Sequence, residues 1–245
     1  MIVFFFGEIH GRITEFYDKV LNTEKELGLK VDWVLQIGNF GIYPDPSLAS
    51  YAAKKRGDMK EFANMYLNGQ AVPRNTLFIS GPHEDHRHMN LKASRGEMEL
   101  VPNLSWLVNG YSTMLEDNED KLKVLGLGKV YSPAAYAGGP VKGKKVNKRL
   151  SRYTRAEVER ACSQGPVDLI LAYQAPTGHT FGGKVSEAHG LSTICFATRP
   201  SLYVHGCYGV TKSYTISQTR TPALALAPMS IVPYEYHNKR FLEIV

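Results

Sequence analysis

No apolar run in this chain approaches the roughly 20 residues needed to cross a bilayer, and the opening "MIVFFF" is short and has no basic flank. A membrane span and a signal peptide are therefore not expected, and a cytoplasmic location is. Cysteine is scarce. Cys162, Cys195 and Cys207 are odd in number and lack Cys-X-X-Cys spacing, which argues against a disulfide framework or a zinc knuckle and for reduced thiols. There is no Gly-X-Ser-X-Gly elbow for a serine hydrolase. There is no glycine-rich phosphate loop with the lysine of a nucleoside-triphosphate site, and no internal repeat or low-complexity segment. Acidic residues are the scarcer charge: 23 Asp and Glu stand against 29 Lys and Arg. The resulting pI of about 9.1 suits a polyanionic partner without requiring one.

What is present is an α/β pattern in 245 residues, of which 43% are hydrophobic, enough for one large domain spanning residues 1–245. "IVFFF" (Ile2–Phe6) reads as a buried strand, followed by Ile13, Phe16, Tyr17, Val20 and Leu21 at helical spacing up to Gly28. "VDWVLQIG" and "NTLFISG" read as the next strands, separated by an amphipathic helix carrying Phe62, Ala63 and Tyr66. "LSWLVNG" and "LKVLGLG" read as short strands. A capping box at Thr154 and Glu157 opens a later helix, before "GPVDLILAY" and "SLYVHG" return to strand. "KSYTIS", "ALALA" and "RFLEIV" read as closing antiparallel strands.

Residues 128–155 break this rhythm. Glycines and prolines predict an inserted surface loop, and Lys144, Lys145, Lys148, Arg149 and Arg152 gather there as a candidate phosphate or nucleic-acid contact. Tyr136 and Tyr153 could stack on bases or pack against the loop's own stem.

Ligands collect at the carboxyl edge of open α/β sheets, so the strand ends matter. They read "GEIHG", "GNFG", "GPHED", "YQAPTGH" and "VHGCYG". Their serial order resembles that of the calcineurin-like metallophosphoesterases: Gly-Asp-X-His-Gly, Gly-Asp, Gly-Asn-His-Glu/Asp, a lone His after a buried strand, then Gly-His-X-His. The match runs from Ile2 to about Gly209, and "YLNGQAVPRNTLFISGPHED" with "GPVDLILAYQAP" is most similar to the RNA lariat debranching branch. The resemblance implies a β-sandwich flanked by helices (α/β/β/α), with a metal site at one edge. Two divalent ions about 3.5–4 Å apart would there activate a water against a phosphate.

The chain departs from that pattern at most ligand positions. Glu8 stands for an Asp, Asn39 for the bridging Asp, Pro82 for an Asn, and Gln174 for the lone His, while Cys207 and Gly209 stand for the last two histidines. His10 and His83 survive, with Glu84 beside His83. His83 matches the family's general-acid position. Degenerate metal positions are thus Glu8, His10, Asn39, Gln174 and Cys207. One carboxylate cannot balance two dications. The expected cofactor is therefore none, or one divalent ion (Zn, Mn or Fe) on Glu8, His10, Asn39 and a Cys207 thiolate. His179 or His205 could replace lost ligands. Two functions follow: a pseudoenzyme binding a phosphate-bearing ligand, RNA, DNA or a protein partner, or an active phosphodiesterase with a single or rearranged metal site.

Overall fold

Side chains alternate across each strand, and here both faces of each central strand are buried, so the strands feed two cores at once. In Ile2–Phe6, Val3 and Phe5 point to one side and Phe4 and Phe6 to the other. Leu169–Ala172 behaves alike, with Leu169 and Leu171 opposed to Ile170 and Ala172. Val3, Phe5, Leu169 and Leu171 belong to one cluster, which places that core between two sheets packed face to face. The computed structural model, which describes residues 1–117, 119–138 and 146–245, is therefore an α/β/β/α sandwich.

The first sheet runs Arg240–Glu243, Ile231–His237, Ile2–Phe6, Trp33–Gln36, Thr76–Phe78, Leu104–Trp106, Glu99–Val101. The second runs Lys212–Ile216, Thr221–Ala225, Leu202–His205, Leu169–Ala172, Lys121–Leu127, Ser112–Glu116. The strands that carry the five motif loops are parallel where they neighbour one another, so their carboxyl ends emerge together. Helix Ile13–Leu27 covers the first sheet with Ile13, Phe16, Tyr17 and Val20, and ends where Gly28 takes the left-handed backbone of a C-cap, φ 64°. Helices Arg155–Cys162 and Leu191–Thr198 cover the second with Val158, Ala161, Leu191 and Ile194. Thr154 and Glu157 form the expected capping box.

One expectation changes, and one open alternative is decided. Residues 128–155 are not one loop: helices Pro133–Tyr136 and Val146–Leu150 lie within it, and Lys144 and Lys145 fall outside the described residues. Tyr153 is buried in the helix-side core, its hydroxyl donating to His189 O at 2.9 Å, so it cannot stack on a base. The histidines of "EDHRHMN" lie on a helix that starts at His86, because the Asp85 side chain accepts from Arg87 N and His88 N. His86 is turned inward and fully buried. Among the described residues no helix is long and apolar enough to cross a membrane.

Candidate functional site

The site grows from backbone turns at the ends of the parallel strands. His10, Asn39 and Cys207 all have positive φ (52°, 47° and 78°), a conformation that costs a non-glycine residue free energy and so marks a shape fixed by its surroundings. Ile9 N and His10 N donate to Asn39 O, binding the first loop to the second. The third loop closes on the second at Gly81, where any Cβ would strike the Asn39 backbone and side chain. Beneath them Glu84, fully buried, accepts from Phe40 N, Gly41 N and Ile42 N at 2.7–2.8 Å and from Gly81 N at 3.4 Å.

On this frame the side chains at the metal positions bond to one another. Asn39 Nδ2 donates to Glu8 Oε1 and, at 2.9 Å, to the Tyr173 hydroxyl, while that hydroxyl donates to the same Glu8 oxygen. The remaining amide oxygen of Asn39 accepts from His83 N at 2.9 Å. Burial raises the pKa of Glu8, pushes the Cys207 thiol up to about 11, and lifts the Tyr173 phenol well above its usual range. At neutral pH Cys207 is a thiol and Tyr173 a phenol, and the cluster is poor in negative charge.

Sequence reasoning missed Tyr173, because a tyrosine matches no ligand type in the family pattern. Gln174, the residue singled out in its stead, is not brought to the cluster: its Oε1 accepts from Tyr131 N at 2.6 Å on the far side. Alternation along the chain explains the exchange, since neighbours at a strand end point opposite ways. His205 also lies apart, between Gly206 O and the Tyr214 hydroxyl, and His179 contacts Gln218.

The second missed residue is Arg56, at the end of the short helix Tyr51–Arg56. Its Nη1 lies 3.0 Å from His83 Nε2, and since guanidinium can only donate, His83 Nε2 is the acceptor. The ring nitrogen at the general-acid position thus holds a lone pair toward Arg56. Burial, then the charges of Arg56 and Arg152, lowers the His83 pKa to about 4, so the ring is a neutral imidazole at neutral pH. His10 is lowered to about 4 by burial and by His83 and Arg56, and its ring centroid is 6.0 Å from that of His83. Lys148 and Arg149 are exposed on helix Val146–Leu150, which Asn147 ties to Glu84 O at 2.8 Å, and Arg152 is half-buried beside them.

A pH test follows from His86. Its folded pKa is lowered to about 3, chiefly by burial, against about 6.5 unfolded, so the unfolded chain binds the proton first and stability falls as pH drops below 6.5. That contribution amounts to about 2 kcal/mol by pH 5. The loss of unfolding free energy between pH 7 and pH 5 should therefore be about 2 kcal/mol smaller in His86→Gln than in wild type. Equal losses would mean that His86 is protonated in the folded protein.

Whether these residues fit a metal pair can be judged from their bonding. Among the described residues no group of three or more His, Cys, Asp or Glu is placed to hold an ion. Oε1 of Glu8 is engaged by a phenol and an amide, and Asn39, at the bridging position, turns its NH2, not its oxygen, toward Glu8. With an NH2 in place of the bridging oxygen and one carboxylate for two dications, the residues do not fit a two-metal centre.

No family model matches the chain. A lariat debranching enzyme from Drosophila melanogaster is 27% identical over 186 residues, covering 73% of this chain and 34% of that protein. The chain spans about a third of the length of the curated relatives it matches. A crystal structure of a Thermus thermophilus protein superposes with a TM-score of 0.61 at 12% identity, covering 99% of this chain and 97% of that one. A dimetal phosphatase from Danio rerio superposes with a TM-score of 0.61 at 10% identity, covering 100% and 98%. This is a calcineurin-like metallophosphoesterase fold. In this fold Glu8, Asn39 and Tyr173 bond to one another at the strand-end edge, and His83 N donates to the Asn39 amide oxygen.

Proposed function

We propose that this metallophosphoesterase fold binds a phosphate-bearing ligand, single-stranded nucleic acid, without hydrolysing it. The observation that carries the reading is the closed set of hydrogen bonds among Glu8, Tyr173 and Asn39 at the metal positions. It engages one oxygen of Glu8 and turns the Asn39 NH2 inward, where a bridging oxygen would be needed. His83 Nε2 accepts from Arg56, which leaves the ring neutral and supports a non-hydrolytic role. The charge around the site is instead basic. Lys54, Lys55 and Arg56 end one helix beside it, Lys148 and Arg149 sit on another anchored above Glu84, and a cleft of about 300 Å³ is lined by Arg149, Arg152 and the Lys129–Glu157 ion pair. Likeness to lariat debranching enzymes favours nucleic acid over a protein partner.

Such binding is sequence-tolerant and steeply salt-dependent, because each neutralised phosphate releases condensed counterion. Replacing Lys144, Lys145, Lys148 and Arg149 together with glutamine should weaken single-stranded RNA binding by decades and flatten the salt slope by about 0.7 per lost contact. Titration of labelled RNA and DNA at two salt concentrations measures both. Unchanged affinity in the variant would leave these charges as solvated surface. Turnover of a generic phosphodiester with added manganese, abolished by Glu8→Ala, would overturn the non-hydrolytic reading.

A further inference from the structure

We infer that residues 106–111 build a second binding site, for an uncharged, planar ring carrying a lactam, in a cleft away from the five motif loops. It is independent of the nucleic-acid reading, because no residue that lines the cleft belongs to those loops.

The cleft holds about 620 Å³, within the roughly 300–1,000 Å³ of small-molecule sites. Trp106 packs in the helix-side core and its neighbour Leu107 in the core between the sheets, yet both line the cleft. It therefore wraps round strand Leu104–Trp106, where only the three-residue strand Glu99–Val101 lies outside it. Leu77 and Val108 add apolar wall, Met98 and Tyr111 are exposed along it, and no charged side chain lines it. The wall is firmly held. Gly110 N donates to Gly126 O at 2.8 Å, and a Cβ on Gly110 would lie 2.6 Å from Glu157 O, so this turn is docked tightly on helix Arg155–Cys162.

The independent sign of a ligand is the set of polar atoms left over in this segment. Trp106 and Asn109 are each only 2% exposed, yet the indole Nε1 and both amide atoms of Asn109 have no hydrogen-bond partner. Buried polar atoms are nearly always paired, so three orphans within four residues point to a missing partner. Their chemistry defines it. An indole N–H and an amide NH2 donate while the amide oxygen accepts, which together match the C=O and adjacent N–H of a lactam. Aromatic and thioether side chains along the cleft suit a flat apolar ring body. Arg160 holds the turn rather than the ligand. Its Nη2 donates to Asn109 O at 3.2 Å, its guanidinium lies 4.5 Å from the Tyr111 ring centroid, and its unpartnered Nε lies against Gly110. With no cation lining the cleft, a neutral ligand fits better than a carboxylate.

The test is titration of wild-type protein with carbostyril, a fused bicyclic lactam, and with N-methylcarbostyril, whose lactam N–H is blocked, followed by saturation-transfer NMR of each compound. Expected is saturable binding of carbostyril, with the N-methyl compound at least about fivefold weaker. Trp106→Phe keeps a ring and removes the donor, and should weaken carbostyril by a similar factor. Ser94→Trp, at an exposed lining position and checked for folding by circular dichroism, should fill the cleft and abolish binding. Saturating single-stranded RNA should leave carbostyril affinity unchanged. No saturable binding by wild type, equal affinity for the two compounds, unaltered affinity in either variant, or displacement by RNA would each overturn the site while leaving the nucleic-acid reading standing.

Discussion

The triple variant Asn39→Asp/Tyr173→His/Cys207→His should gain divalent-metal affinity by roughly 100-fold or more over wild type, read by titration of manganese or zinc. Each change reverses a specific bond. Tyr173→His removes the phenol that donates to Glu8 and substitutes a lone pair, and Asn39→Asp replaces the inward amide NH2 with a bridging carboxylate. Cys207→His replaces a thiol whose pKa is about 11 with a neutral donor. The loops that would receive these side chains are held by their own bonds, since Ile9 N and His10 N donate to Asn39 O. A control makes the outcome sharp: with Gln174→His in place of Tyr173→His, metal affinity should stay near that of wild type, because Gln174 faces Tyr131. Equal gains in both triple variants would contradict the assignment of Tyr173.

The second large effect is on stability. Glu84→Ala should cost about 4 kcal/mol or more, because it strands up to four buried backbone N–H groups in two loops at once. Against a typical unfolding free energy of about 5–15 kcal/mol, that is a large fraction. Glu84→Gln should fall in between: one oxygen still accepts, but its NH2 meets N–H groups that need an acceptor. Chemical denaturation measures all three proteins. A loss under about 1 kcal/mol for Glu84→Ala would mean that water reaches these amides.

Central strands were legible because burial on both faces writes itself as unbroken apolar runs, as in Ile2–Phe6 and Leu169–Ala172. Strand Ile231–His237, which pairs antiparallel with Ile2–Phe6, was not, since Pro233 within it reads as an interruption. Helix Leu191–Thr198 was equally hidden: Phe196 is exposed beside buried Ile194 and Cys195, so no clean polar face marks its period. Loop order told which strand ends meet, and Glu8, Asn39 and His83 do meet. Which side chain enters from the fourth loop depended on a register of one residue, and only the structure distinguishes Tyr173 from Gln174. Arg56 could not be foreseen, because "KKRGD" lies outside every motif and reaches His83 only through the packing of Gly57 on His10.

On the reading proposed, hydrogen bonds among Glu8, Tyr173 and Asn39 stand in the place of a metal pair. Elemental analysis of wild-type protein, equilibrated with manganese and zinc and then desalted, tests it most directly. Well under one ion per chain is expected, unchanged in Glu8→Ala. Two ions per chain in wild type, lost in Glu8→Ala, would contradict it.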